Sequence, residues 1–177
     1  ASGKITTIKD GWSIRKSKYD NSGNGNASEV SYFDLAGQPT LHVKGYHKVK
    51  WERDSQGNIV KEIYLDTADK PTVGDRGCYS LLLEYDKQNN LLIKESCLGP
   101  DQKLTANKDG FAVWRGDYDS IKNKLVEQSF YDTAERPVQS SYGYARATYR
   151  YNDSGKLVEA AYFGTDDAPV SIKEGYA

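Results

Sequence analysis

The sequence predicts an all-β fold of tandem antiparallel β-hairpin repeats, forming a curled sheet or a solenoid-like array. Three observations carry that expectation. A glycine returns at Gly11, Gly45, Gly77, Gly110, Gly143 and Gly175, in steps of 34, 32, 33, 33 and 32. Between successive glycines, two extended runs flank a turn-forming pentapeptide, the signature of a hairpin. No stretch keeps an apolar period of about 3.6 long enough to argue a helix.

A fixed period is the mark of repeat architectures. The glycines set the expected boundaries at 11–44, 45–76, 77–109, 110–142 and 143–174 within a single repeat domain spanning 1–177, with a sixth repeat starting at 175. Behind the glycine stand Trp12, Tyr46, Cys78, Phe111, Tyr144 and Tyr176. Four repeats close on a proline and a β-branched residue: Pro39-Thr40, Pro71-Thr72, Pro137-Val138 and Pro169-Val170. Leu104-Thr105 stands in that place without the proline.

The first repeat departs from its siblings. Its first strand is polar (Ser13, Arg15, Ser17), and Gly25-Asn26-Ala27-Ser28 follows its turn at 20–24, as expected of an atypical capping repeat or of a frayed end. In the second, 46–53 and 59–66 flank Asp54-Ser55-Gln56-Gly57-Asn58. The later turns fall at 86–90, 119–123 and 152–156. Asp or Asn begins such turns by bonding its own backbone, and Gly or Asn near the end accepts positive φ. Alternation assigns the faces. Tyr79, Leu81, Leu83 and Tyr85 point one way in the third repeat, while Lys48, Lys50 and Glu52 point the other way in the second.

The composition suits a thin aromatic core. Hydrophobic residues make up 37% and charged residues 28%, with 14 Tyr, 4 Phe and 3 Trp. Mean hydropathy is -0.76. That many aromatics excludes a disordered chain. The formal net charge of -1 comes from interspersed charges, so neither nucleic acid nor an anionic membrane is an expected partner. No apolar run approaches a membrane span, so direct membrane insertion is not expected. The chain opens on Ala-Ser-Gly rather than Met, as expected of a processed product or a piece of a larger protein.

Both cysteines lie in the third repeat. Cys78 holds the column of Trp12, Tyr46, Phe111 and Tyr144; Cys97 holds that of Tyr32, Tyr64, Phe130 and Tyr162. Paired replacement implies that an aromatic pair closes each hairpin and that a Cys78–Cys97 disulfide closes this one. The two columns are expected to face each other across the hairpin, near disulfide spacing. Two buried free thiols are the alternative. A disulfide would place the protein in an oxidising compartment, the periplasm or cell surface.

Few residues suggest chemistry. His42 falls in a connection and His47 begins a strand; neither has a spaced set of metal-ligating partners, so no metal, cofactor or catalytic residue is assigned. Carboxylates recur at Asp34, Asp66 and Asp132 and at Glu62, Glu95, Glu127 and Glu159, read as solvated strand-end charge. The turns lack the alternating acidic ligands of a calcium loop. Trp51 and Trp114 fall on the buried face at different strand positions and so form no common ladder. Trp12 is the ring expected to be accessible, which with His42 and His47 makes up the candidate binding residues.

The run Gly143-Tyr144-Ala145, Gly155, Leu157-Val158-Glu159, Tyr162-Phe163, with Tyr32-Phe33-Asp34 and Gly37, resembles bacterial tandem repeats of the broad YD and RHS-like type. That resemblance implies hairpin arrays in secreted, periplasmic or surface-attached proteins, serving as shells, spacers or adhesive modules. A looser similarity joins the repeats to the aromatic hairpins of choline-binding and clostridial toxin receptor-binding regions, which bind glycans. The expected function is a non-catalytic bacterial interaction module with a protein partner. A glycan-binding module using exposed aromatics is the first alternative, and an enzyme with a loop-borne site near His42 and His47 is the second.

Overall fold

The computed structural model describes residues 9–20 and 25–172. They contain ten strands and no helix: β1 (Ile14–Tyr19), β2 (Ala27–Phe33), β3 (Lys48–Arg53), β4 (Ile59–Leu65), β5 (Ser80–Tyr85), β6 (Leu92–Leu98), β7 (Val113–Tyr118), β8 (Leu125–Tyr131), β9 (Arg146–Tyr151) and β10 (Leu157–Phe163). The strands follow one another in sequence order within one sheet, as a hairpin array requires. Most of the first turn, at 21–24, and the start of a sixth repeat at 175 lie outside the described residues.

Two compact units divide the chain: one runs to Leu81 and includes Gly99–Gln102, the other holds Leu82–Leu98 and resumes at Lys103. Both are built from one tight turn used repeatedly. In it the first residue donates its N–H to the carbonyl four residues on, and the fourth, at positive φ, donates back to the first. At a hairpin tip, Asp54 N–H bonds Asn58 O at 3.0 Å and Gly57 N–H bonds Asp54 O at 3.1 Å, with Gly57 at φ 91°. This is a type I turn closed by a left-handed residue, a favoured three-residue hairpin loop. The tips at 86–91 and 119–124 are one residue longer and close on Asn90 and Asn123, at φ 59° and 52°.

The same turn recurs at the end of each second strand, which the sequence reading did not foresee. Asp66 N–H bonds Lys70 O, and Asp69 N–H bonds Asp66 O. Asp34, Asp132 and Gly164 begin its copies. Asp66 Oδ1 accepts the N–H groups of Ala68 and Lys70 at 2.8 and 2.9 Å, and Asp132 Oδ1 does the same for Ala134 and Arg136. These recurring aspartates are therefore turn formers rather than solvated strand-end charge. The turn folds the proline back against the strand it leaves, giving bridges such as Phe33–Pro39 and Tyr131–Pro137. Proline suits this place because its missing N–H takes no ladder bond. The next residue donates instead: Thr40, Thr72, Thr105, Val138 and Val170 bond the carbonyls of Tyr32, Tyr64, Cys97, Phe130 and Tyr162.

A third copy of the turn opens the repeat. Gly45, Gly77, Gly110 and Gly143 bond the carbonyls three residues back, all at φ between 85° and 94°. Only glycine enters that region without a Cβ penalty, which explains the period of the sequence.

The expected faces hold, with a gradient. His47 and Val49 are buried, while Trp51 and Arg53 nearer the tip are half-buried. Val30, Tyr32, Tyr46, Val49 and Tyr64 form the core of the N-terminal unit; Phe111, Phe130, Tyr144 and Ala147 form that of the C-terminal unit.

The clasp columns need one correction. They are not cross-strand partners, because Tyr64 stands opposite Val49 and Phe130 opposite Trp114. The first-column residue precedes its strand, and its side chain bridges the offset. Ring centroids lie 5.4 Å apart in Trp12–Tyr32, 5.1 Å in Tyr46–Tyr64, 4.6 Å in Phe111–Phe130 and 4.9 Å in Tyr144–Tyr162. In the third repeat, Cys78 and Cys97 are both disulfide-bonded, and neither cysteine is free.

Candidate interaction surface

The opening turns and the connections before them stack along one edge of the N-terminal unit. Val43 N–H bonds Asp10 O at 3.1 Å, and Lys44 Nζ reaches Asp75 at 3.0 Å in the following turn. A Cβ on Gly45 would stand 3.1 Å from Val73 O, and one on Gly11 3.5 Å from Leu41 O. Leu41, Val43 and Val73 therefore sit on successive connections of one edge, and they are exposed at 47%, 70% and 37%. The C-terminal unit places Gln139 and Ser141 in the columns of Leu41 and Val43. There Ser141 bonds Asp109 through both its N–H and its hydroxyl.

His42 lies beneath this edge. Its ring packs 4.8 Å from Tyr32 and stacks on Tyr46 at 5.7 Å and 12°, and its Nδ1 accepts the Lys44 N–H at 3.1 Å. His47 is buried elsewhere, edge-on to Phe33 at 5.2 Å, with Nδ1 donating to the Thr40 carbonyl at 3.2 Å. The two histidines thus serve separate packing clusters. Trp12, expected to be the accessible ring, is half-buried against Tyr32 because it fills the first clasp position of its repeat. Among the described residues no group of three or more His, Cys, Asp or Glu is placed to hold a metal ion.

The aromatic face of each unit contains a polar hub. Glu62 accepts the Trp51 indole N–H at 3.2 Å and the Tyr64 hydroxyl at 2.6 Å. In the C-terminal unit Gln128 accepts from Trp114 at 3.0 Å and donates to the hydroxyls of Tyr144 and Tyr149 at 2.8 and 2.6 Å. Burial pushes the Tyr46, Tyr64 and Tyr144 hydroxyls well above the ordinary phenol value. Glu127 and Glu159 serve differently, pairing with Arg146 at 3.0 Å and Arg150 at 2.5 Å. The glutamates read as one recurring set thus split in two. Glu62 and Glu95 lie two residues before the clasp column, Glu127 and Glu159 three, and one residue along a strand reverses the face.

The strand ends carry a second device. Arg146 lies 4.0 Å over the Phe163 ring and bonds both Asp167 and Glu127. Arg115 over Tyr131 pairs with Glu135 in the same way, and Lys48 pairs with Asp69 at 2.5 Å. Asp167, Glu135 and Asp69 occupy the left-handed place of the second turn.

No protein-family model matches the chain, and no curated protein matches its sequence. The apolar edge was missed in the sequence; aliphatic residues at 41 and 43, where the fifth repeat's approach carries Gln139 and Ser141, marked the connection as unusual but not its stacking with the next one.

Proposed function

We propose that the chain is a non-catalytic interaction module of a bacterial extracytoplasmic protein, which binds a protein partner through the connection edge of its N-terminal unit. The observation that carries this reading is the exposure of Leu41, Val43 and Val73 on successive connections. Clustered exposed aliphatics with charged neighbours such as Lys44 and Asp75 are characteristic of protein-binding sites. The disulfide state of Cys78 and Cys97 fits an oxidising compartment. The likeness of the repeats to YD and RHS-like arrays points the same way. Glycan stacking has less support, because Trp12 is engaged with Tyr32.

The test places a photo-crosslinking side chain at Val43, and separately at Ile121, which is 88% exposed on a hairpin tip. Both variants are exported to a bacterial envelope and irradiated. A discrete protein adduct from position 43, absent from 121 and abolished by Leu41→Gln, supports the proposal. Equal diffuse adducts from both positions contradict it.

A further inference from the structure

We infer that Lys16, Phe33 and Gly37 of the first hairpin form a receptor for a carboxylate, filled by an Asp or Glu side chain of a bound protein. The inference rests on the protein-binding reading only for the source of that carboxylate, and it uses residues outside the apolar edge. The left-handed place of the turn after each second strand holds, in order, Gly37, Asp69, Gln102, Glu135 and Asp167. The last four reach back to the first strand of their own hairpin. Asp69 pairs with Lys48, Glu135 with Arg115 and Asp167 with Arg146, while Gln102 accepts the Ser80 hydroxyl at 3.5 Å. In the first hairpin the place is held by glycine, which has no side chain to reach with.

The cation of that device is nevertheless present. Lys16 holds the strand place of Arg115, since Lys16 stands opposite Ser31 and Arg115 opposite Ser129. Lys16 Nζ lies 4.2 Å over the Phe33 ring, as the Arg115 guanidinium lies 4.6 Å over Tyr131. Arg115 has Glu135 as its acid, whereas exposed Lys16 has no acidic partner among the described residues. The other lysines of this face are engaged: Glu29 takes Lys18 at 2.9 Å and Lys50 at 3.8 Å, and Asp69 takes Lys48. A Cβ on Gly37 would meet no atom within 4 Å, so the place of the missing carboxylate is open.

An ammonium held over an aromatic face beside an open place selects an anion. The sibling hairpins hold there a carboxylate on a short aliphatic stem, which an Asp or Glu side chain of a protein reproduces. A uronate carboxylate sits directly on a sugar ring, and the ring that could stack that sugar, Phe33, is covered by Lys16 and met edge-on by His47. A single exposed ion pair adds little affinity. Its role is to select and orient an acidic partner. Gly37 and Leu41 belong to the same connection between β2 and β3, so one partner can meet both.

Backbone-amide NMR of the disulfide-intact chain, titrated with poly-L-glutamate at about 0.15 M salt to screen diffuse attraction, tests the receptor. This needs no partner, so it fails independently of crosslinking at Val43. Saturable shifts are expected at Ser31, Phe33 and Gly37, with none around the filled pairs Arg115–Glu135 and Arg146–Asp167. Lys16→Gln should abolish them. Gly37→Asp should do the same by supplying the carboxylate from within, as Asp69 does at φ 60°. Melting curves confirm that both variants fold. Absent shifts overturn the inference, as do shifts spread equally over Lys18 and Lys50 or shifts that survive either substitution. Polygalacturonate at equal carboxylate concentration is expected to give weaker shifts, and equal or larger ones overturn the protein source.

Discussion

Trp114 and Gly116 fill one place between them: a Cβ on Gly116 would stand 2.5 Å from Cη2 of the Trp114 ring. Gly116 is directly opposite Gln128, to which the indole N–H donates at 3.0 Å. In the second repeat the equivalent place is filled directly, by Trp51 opposite Glu62. Two tryptophans at different strand positions therefore deliver equivalent rings to equivalent acceptors. Gly116→Ala should destabilise the protein by about 1–3 kcal/mol, the usual result of overpacking. Combining it with Trp114→Val, which restores the Val49 arrangement at that position, should recover part of the loss. Urea unfolding of the two single variants and the double variant measures the coupling.

Hairpin number, turn positions and the two clasp columns were legible in the sequence because each depends on local chemistry: glycine at positive φ, Asp at turn starts, aromatics in register. The delivery of Trp114 over Gly116 was not legible, since it depends on a side chain leaning along its strand. The turns begun by Asp34, Asp66 and Asp132 were missed because their left-handed residue is often not glycine. Asp69, Gln102, Glu135 and Asp167 hold φ near 60° there. Nothing in the order of residues showed that Leu41, Val43 and Val73 share an edge, because that depends on how successive connections stack.

Those non-glycine turn residues carry a testable cost. A left-handed L-residue costs roughly 1–2 kcal/mol relative to glycine in the folded chain. Gln102→Gly should therefore raise thermal stability. Asp69→Gly should change it little, because it also removes the Lys48 ion pair, which spans the turn at 2.5 Å. Melting curves for the two variants should differ in that order, and an equal rise in both would show that the ion pair contributes no more than the 3.5 Å hydrogen bond that the Ser80 hydroxyl donates to Gln102.

Alkaline sensitivity follows from the buried phenols. Folding raises the Tyr46, Tyr64 and Tyr144 hydroxyls, chiefly through burial. The folded state thus holds their protons more tightly than the unfolded chain, whose phenols titrate near about 10. Their contribution is complete below that value and is lost as pH rises above it. Melting temperature should fall steeply on the alkaline side, and Tyr64→Phe should flatten that fall.

The acid arm has the opposite sign. Asp54 is held below the usual carboxylate range by the Asn58 side chain and nearby backbone N–H groups; Asp86 and Asp132 are lowered mainly by backbone donors. Their contribution is present above the unfolded value of about 3.9 and is lost as pH falls through the lower folded values. Asp132→Asn should flatten the acid side of the pH–stability curve and leave the alkaline side unchanged.

The rule that each repeat closes through two side chains is tested most directly where cystine replaces the rings. Cys78 and Cys97 are exposed by only 0% and 2%, so the native disulfide should resist mild reductant. A disulfide closing a loop of this size contributes about 3 kcal/mol. Denaturant unfolding of Cys78→Ser/Cys97→Ser should show a loss of that order. Cys78→Tyr/Cys97→Tyr, which restores the pairing of Tyr46 with Tyr64, should recover a substantial part of it. A tyrosine pair no more stable than the serine pair would contradict the common clasp.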